Sequence, residues 1–318
     1  MDYAIGIDLG GTHLRAALVD SEGTIFTHRR VPTLAHEGPE AVVGRIAELI
    51  TAMRESSPDA TILGVGVAAP GPLDPEAGIV ITAPNMPGWN NFPLRDAVQA
   101  HASWPVVIGN DANLAAVGEW RFGGGRGMRN LVYITISTGI GGGVVVDGHP
   151  LLGYSGLAAE VGHMVLKHDG PPCGVEGNHG CWESLASGTA LAREAAAGLR
   201  AGVATALSQL ATPETVTTHH IEQAAEAGDA FAAGLIEQAG RWCGIAFVNL
   251  LHLYSPQAIF VGGGVSNLGE RILGPARAEI AARALPGYRQ VPVVPTQLGD
   301  HVGLLGAAAQ VYHALGAA

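Results

Sequence analysis

Two stretches of this chain share one plan. AIGIDLGGTHLRAALVD (4–20) and LVYITISTGIGGGVVVD (131–147) each run apolar strand, glycine turn, apolar strand and closing aspartate. A supersecondary unit met twice in one chain predicts a duplicated architecture, here two similar lobes. The segments after the first copy alternate between helix and strand. Thr24 to Thr27 completes a three-stranded antiparallel meander, Pro39 to Arg54 has apolar residues at helical spacing, and Ile62 to Val67 is a buried strand. Val106 to Ile108 is a further strand, and Asp111 to Trp120 a helix that Asp111 is placed to cap. After the second copy the chain is mostly helical from Ser187 to Ser255. A strand from Ala258 to Val261 then enters Gly262-Gly263-Gly264, with a helix from near Asn267 and a last one from Gly303 to Leu315. The small residues of that last helix predict very close packing at a hinge or an interface. Gly123 to Gly127 and His168 to Gly180 are the expected linkers.

Composition narrows the function classes. At 318 residues the chain has length for about two domains and can bury a large core without disulfides. Its 17 basic against 28 acidic residues, a net charge of −11, argue against nucleic-acid and anionic-membrane partners. The one lysine, Lys167, precedes His168, so no GxxxxGK[ST] loop exists and any phosphate cradle must work without lysine. Three cysteines make no disulfide framework, which favours a reducing compartment and reduced thiols. Met1-Asp2-Tyr3 leads straight into an apolar strand and no run of about 18 apolar residues follows, so a cytoplasmic protein without a targeting segment is expected.

Several constellations can carry chemistry. Backbone amides in glycine turns form anion nests, and Gly10-Gly11-Thr12 and Thr138-Gly139 to Gly142 are two of them. Facing each other across a cleft, they would hold a triphosphate, with Asp8 holding Mg²⁺ directly or through water and Thr12 adding a hydroxyl. Each is also, taken singly, an ordinary hairpin turn. Asn110-Asp111 sits at a strand-to-helix junction, either as a helix cap or as polar groups at the mouth of an α/β sheet. Glu160, His163, Cys173, Glu176, His179, Cys181 and Glu183 fall within 24 residues, a composition that suits a local zinc site. His163, Cys173 and Cys181 supply three ligands, and Glu176 or His179 is the candidate fourth. The alternative is a pair of buried reduced cysteines.

With these residues in view, the sequence resembles the sugar-kinase branch of the repressor, open reading frame, kinase (ROK) family, and within it the bacterial glucokinases, over essentially its whole length. The matching motifs occur in order: IGIDLGGTHLR (5–15), PGPLDPEAG (70–78), PNMPGW (84–89), GNDANLAA (109–116), STGIGGG (137–143), EVGH (160–163), GCWE (180–183) and VGGGVS (261–266). The resemblance implies a two-lobed α/β fold of the actin/hexokinase-like (ribonuclease H-like) type, duplicated, with a central cleft. Its smaller lobe is expected at 1–113 plus 303–318 and its larger lobe at 114–302, the zinc-loop region lying at 163–183. It implies Gly71, Asn110, Asp111, Glu160, His163 and Glu183 as the hexose-binding set, Asp111 as catalytic base, and Asp8, Gly10, Gly11, Thr12, Thr138, Gly139 and Gly263 as nucleotide and metal contacts.

The implied reaction is transfer of the γ-phosphoryl group of Mg·ATP to the 6-hydroxyl of glucose. A structural Zn²⁺ is the further cofactor implied. The family's zinc loop is usually C-x-C-G-x-x-G-C, and Cys173-Gly174-Val175-Glu176 lacks the middle cysteine and carries one additional residue. Family members that act as repressors carry a winged helix ahead of the phosphate motif, which begins here at residue 5. Rival readings are a kinase for fructose, mannose or N-acetylmannosamine, a non-catalytic sugar sensor, and an ATPase acting on a protein client. Polyphosphate is the rival donor, though −11 offers no basic track for it. A homodimer or homotetramer is expected.

Overall fold

A computed structural model describes residues 2–83, 86–174 and 176–316. Pro84 and Asn85 of the PNMPGW motif, and Val175 of the cysteine loop, lie outside the described residues.

The first sheet is built from β1 (Asp2–Leu9), β2 (His13–Asp20), β3 (Ile25–Pro32), β4 (Thr61–Ala69) and β5 (Val106–Asn110), in the order β3-β2-β1-β4-β5. The first three are antiparallel, as the meander predicts, while β4 and β5 run parallel to β1. The second sheet contains β6 (Leu131–Ile136), β7 (Ile140–Val146), β8 (His149–Pro150), β9 (Ala258–Gly262) and β10 (Val293–Pro295), in the order β8-β7-β6-β9-β10. Counting each sheet from its own first strand, both orders are 3-2-1-4-5. The duplication glimpsed in two short segments therefore extends to whole sheets. A small three-stranded sheet of Leu73–Asp74, Ile79–Thr82 and Asn90–Phe92 has no counterpart in the sequence reading.

By its internal contacts the chain divides into two compact units, 1–131 with 143–159 and 296–318, and 132–142 with 160–295. The expected boundary at 113/114 differs from this division, and the unit holding the N-terminus is the larger. The reason lies in α2 (Asp111–Phe122). Its Val117 and Phe122 are buried in one cluster with Leu304, Leu305 and Tyr312 of the C-terminal helix.

In the first unit α1 (Pro39–Ser56) covers one face of the sheet, burying Val42, Ile46, Leu49, Ile50 and Met53 against Ile5, Ile7, Val65 and Val67. Pro39 starts this helix at a position where its missing N–H costs nothing. Each large aliphatic side chain removed from water contributes about 1.5–3 kcal/mol before entropy is counted. The C-terminal helix, Val302–Ala314, covers the other face, where Ala4, Ala17 and Val19 are small enough to admit it. A Cβ on Gly66 would strike the Ala307 carbonyl, so only glycine lets that helix lie this close to the strand. The small residues of the last helix thus serve the core of the first unit.

The second unit carries α3 (Trp182–Ala186), α4 (Gly188–Arg200), α5 (Thr218–Glu226), α6 (Ala230–Tyr254) and α7 (Glu270–Arg283). Trp182 and Phe247 are both buried and meet edge to face with ring centroids 5.6 Å apart, locking α3 against α6. Among the described residues no helix is long and apolar enough to cross a membrane.

Candidate active site

In the first unit the candidate residues converge on one edge of the sheet. Asp8 pairs in register with Ala68, and Ala69 with Asn110, at the C-terminal ends of β1, β4 and β5. These are the strand ends where open α/β sheets place ligand sites. Two strand spacings put Asp8 and Asn110 about 10 Å apart along this edge.

The Gly10–Thr12 turn is held from behind. Thr33, fully buried, donates its hydroxyl to Gly10 O at 2.6 Å and its amide to Thr12 O at 2.9 Å, leaving Gly11 and Thr12 exposed at the tip. Asp8 is more committed than the sequence suggested. Arg15, opposite it on β2, donates Nε to Oδ2 at 2.9 Å and binds the same oxygen through a terminal nitrogen. A second terminal nitrogen of Arg15 donates to Asp300 O at 2.6 Å. The hairpin register that opposes residues 8 and 15 was a signal for this pair that the motif reading passed over.

Asn110 and Asp111 divide the two roles weighed for them. Asn110 is the N-cap, its Oδ1 accepting from the amides of Ala112 at 3.0 Å and Asn113 at 3.2 Å. A Cβ on Gly71 would lie 3.0 Å from Asn110 Nδ2, so the amide nitrogen stands over Gly71. Asp111 is the first helical residue, exposed, with Oδ1 accepting from Ala112 N at 2.8 Å.

In the second unit the Ser137–Gly139 turn joins β6 to β7, closed by the Ser137 amide donating to Gly139 O at 2.8 Å. Glu183, on α3, accepts at Oε2 from Ile140 N at 2.8 Å, so a carboxylate expected to bind sugar also braces the Ser137–Gly139 turn. Gly263 follows β9 with φ +87°, a conformation that favours glycine, and a Cβ there would strike the Ile136 carbonyl.

Glu160, His163 and Glu183 share one electrostatic neighbourhood. Loss of hydration raises the Glu160 carboxyl above its ordinary 4.5, Glu183 adds to the rise, and His163 opposes it. Glu160 therefore binds its proton more tightly folded than unfolded. Its contribution to stability is full below pH 4.5 and is lost as pH rises through the raised value. Raising pH from 4 to 7 is expected to lower the urea midpoint of the wild type relative to Glu160→Gln. Parallel midpoints across that range would refute the assignment.

His163, Cys173 and Cys181 do gather, with donor atoms within 4.8 Å of one another and His163 Nδ1 3.4 Å from Cys173 Sγ. Neither Glu176 nor His179 joins them, and among the described residues the group stops at three. Cys173 and Cys181 are joined as a disulfide, Cα atoms 5.9 Å apart, in place of the reduced thiols expected from the sequence. A structural zinc takes four protein ligands with sulfur as thiolate, and this donor set does not fit it. Protein prepared with reductant and dialysed is expected to hold zinc well below one ion per chain. A full equivalent measured by elemental analysis would reveal a fourth ligand.

Sequence reasoning missed one feature altogether. A cavity of ≈ 550 Å³ opens beside Ser137 and Thr138, walled by Thr189 of α4, Val216, residues of α5 and Leu268. No local motif announces it, because its walls come from separate helices.

The model of the ROK family matches residues 4–314. The chain belongs to the ROK family. Among curated ROK-family relatives, the glucokinase of Streptomyces coelicolor is 40% identical over 315 residues, covering 97% of each chain. The ROK hexokinase structure from Thermus thermophilus matches with a TM-score of 0.85 at 34% identity, covering 99% of this chain and 100% of that one. A ROK-family glucokinase from Streptomyces griseus, solved in complex with glucose and AMPPNP, gives a TM-score of 0.82 at 37% identity over 97% and 98%. The actin/hexokinase-like fold of these ROK sugar kinases is the fold of this chain.

Proposed function

We propose that this protein is an ATP-dependent glucokinase, transferring the γ-phosphoryl group of Mg·ATP to the 6-hydroxyl of glucose to give glucose 6-phosphate. Similarity to the Streptomyces glucokinases supports the activity. The observation that carries the reading at residue level is the shared edge of the first sheet. A phosphate-type turn and an exposed aspartate stand at the C-terminal ends of β1 and β5, two strand spacings apart with β4 between them.

Each residue then has a role its local geometry permits. Asp111 orients the sugar hydroxyl and accepts its proton as the O6–P bond forms and the bond from γ-phosphorus to the bridging oxygen breaks, releasing ADP. The transition state of such transfers is loose, so positioning and electrostatics dominate and prior deprotonation of the alcohol is unnecessary. Asn110, tied by its cap, presents Nδ2 beside Gly71 as a donor to sugar oxygen. Glu160, His163 and Glu183 supply hydroxyl partners that an apolar wall could not. Gly10, Gly11, Thr12, Thr138, Gly139 and Gly263 offer amides and hydroxyls to phosphate. Asp8, with one oxygen held by Arg15, suits a Mg²⁺ ion bound through water better than a bidentate one. Because the cysteine group stops at three donors among the described residues, nothing in this scheme passes through zinc. The reading places the work in the cytoplasm. It also includes a homodimer or homotetramer, supported by Leu253 and Leu285 standing exposed on the second unit.

The deciding experiment measures ADP release with glucose, fructose, mannose and N-acetylmannosamine, and sugar phosphate formed from polyphosphate. Glucose with ATP is expected to give the highest kcat/KM. A different preferred sugar would reassign the substrate. Glucose-dependent thermal stabilisation without ADP release would make the protein a sensor.

A further inference from the structure

The cavity of ≈ 550 Å³ beside the Ser137–Gly139 turn has the size of a small-ligand site and is larger than phosphate binding alone requires. Val216, Val265 and Leu268 give it buried apolar surface against which a nucleobase can lie. Most of its hydroxyls are already engaged. Thr189 Oγ1 donates to Thr138 O at 2.8 Å, Thr218 Oγ1 to Gly188 O at 3.3 Å, and the Thr217 side chain is held by His220 in the capping box of α5.

Glu222, one turn into α5, differs from these. It is half-buried in the cavity wall, and the partner recorded for its carboxylate among the described residues is His219 Nδ1 at 3.7 Å, beyond hydrogen-bond length. A carboxylate only accepts, so it cannot serve phosphate oxygens, and its charge repels them. A polyanionic chain continuing from the turn into this cavity would meet that charge. A nucleoside would not. Within a nucleoside, a base amino group directs one hydrogen at a single oxygen, whereas a cis-vicinal diol presents two donors side by side to both oxygens.

We propose that Glu222 accepts the 2′- and 3′-hydroxyls of the donor's ribose and thereby selects ribonucleoside triphosphates over 2′-deoxy donors and over polyphosphate. The inference rests on the ATP-dependent reading above and adds a specificity residue to it.

The test compares ATP, 2′-deoxyATP and GTP at saturating glucose in the wild type, Glu222→Ala and Glu222→Gln. Binding of ADP and 2′-deoxyADP by titration calorimetry repeats the comparison without turnover. The wild type is expected to favour the ribonucleotide about tenfold, the size of one net charge-assisted hydrogen bond. Glu222→Ala is expected to bring that ratio below about two, because KM for ATP, which loses both ribose bonds, rises more than KM for 2′-deoxyATP, which loses only the bond at its 3′-hydroxyl, with Glu222→Gln between the two. A merely structural role would raise both KM values by the same factor and leave the ratio at its wild-type value, and that result overturns the proposal. So does a variant that changes the ATP to GTP ratio but preserves ATP over 2′-deoxyATP. Wild-type protein that releases no ADP with glucose would overturn the glucokinase reading, and the calorimetric ratio would still decide the role of Glu222.

Discussion

Asp111→Ala is expected to lower kcat by about 10²–10⁴-fold, the range for losing a positioned general base, with KM for glucose changed far less. The structure makes this substitution unusually informative. Asn110 caps α2 through its own side chain, so removing the neighbouring carboxylate leaves the capping bonds to Ala112 and Asn113 in place. The helix loses one amide acceptor and one favourable charge at its N-terminus, together about 1 kcal/mol or less at an exposed site. The fold should therefore survive while turnover falls. Asp111→Asn keeps a polar group of the same size and should fall nearly as far, because the amide cannot take the proton. Turnover within a few-fold of wild type in either variant would remove Asp111 from the chemistry.

The largest effect on stability is expected at Glu119, far from any motif. Its side chain is fully buried in the first unit, yet it has ample partners. Oε1 accepts from the Gly124 amide at 2.9 Å and the Gln297 amide at 3.1 Å, and Oε2 accepts from the Thr296 hydroxyl at 2.6 Å. One carboxylate thus ties the end of α2 to the segment leading into the C-terminal helix. Glu119→Ala leaves three donors without their acceptor and opens a cavity, a loss of about 3–5 kcal/mol. For a chain of this size that is a fall of about 5–7 °C in Tm by calorimetry. Glu119→Gln retains one acceptor oxygen but turns an NH₂ towards a donor, so a smaller fall is expected. A Tm for Glu119→Ala within about 2 °C of wild type, at a scale of about 1.5 °C per kcal/mol for this length, would show that the network contributes little.

Much of the candidate site was legible because its signals are local. The turns at Gly10–Thr12 and Ser137–Gly139 show in a few residues, since the strand–glycine turn–strand plan occurs twice and each copy is local. The EVGH and GCWE segments mark themselves by packing carboxylates and imidazole into little chain. Other features were harder to read. Asp111 was expected to cap the helix, and only hydrogen bonds assigned the cap to Asn110. Glu183 was legible as a ligand type, but not as a brace on Ile140, because that contact joins residues 43 apart. The cysteine pair was visible, and that the group stops at three among the described residues required coordinates.

Sequence by itself determined the element types, the repeated strand–turn–strand unit and the residue types offered at each turn, because periodicity, turn chemistry and capping act over a few residues. Tertiary structure alone decided that α2 and the C-terminal helix share a core with the first sheet, that Glu119 joins two distant segments, and that Glu222 lines a cavity beside the Ser137–Gly139 turn. The physical reason is close approach between residues far apart in the chain. A glycine such as Gly66 records that some backbone must come near, and nothing in its neighbours says that the backbone is Ala307's.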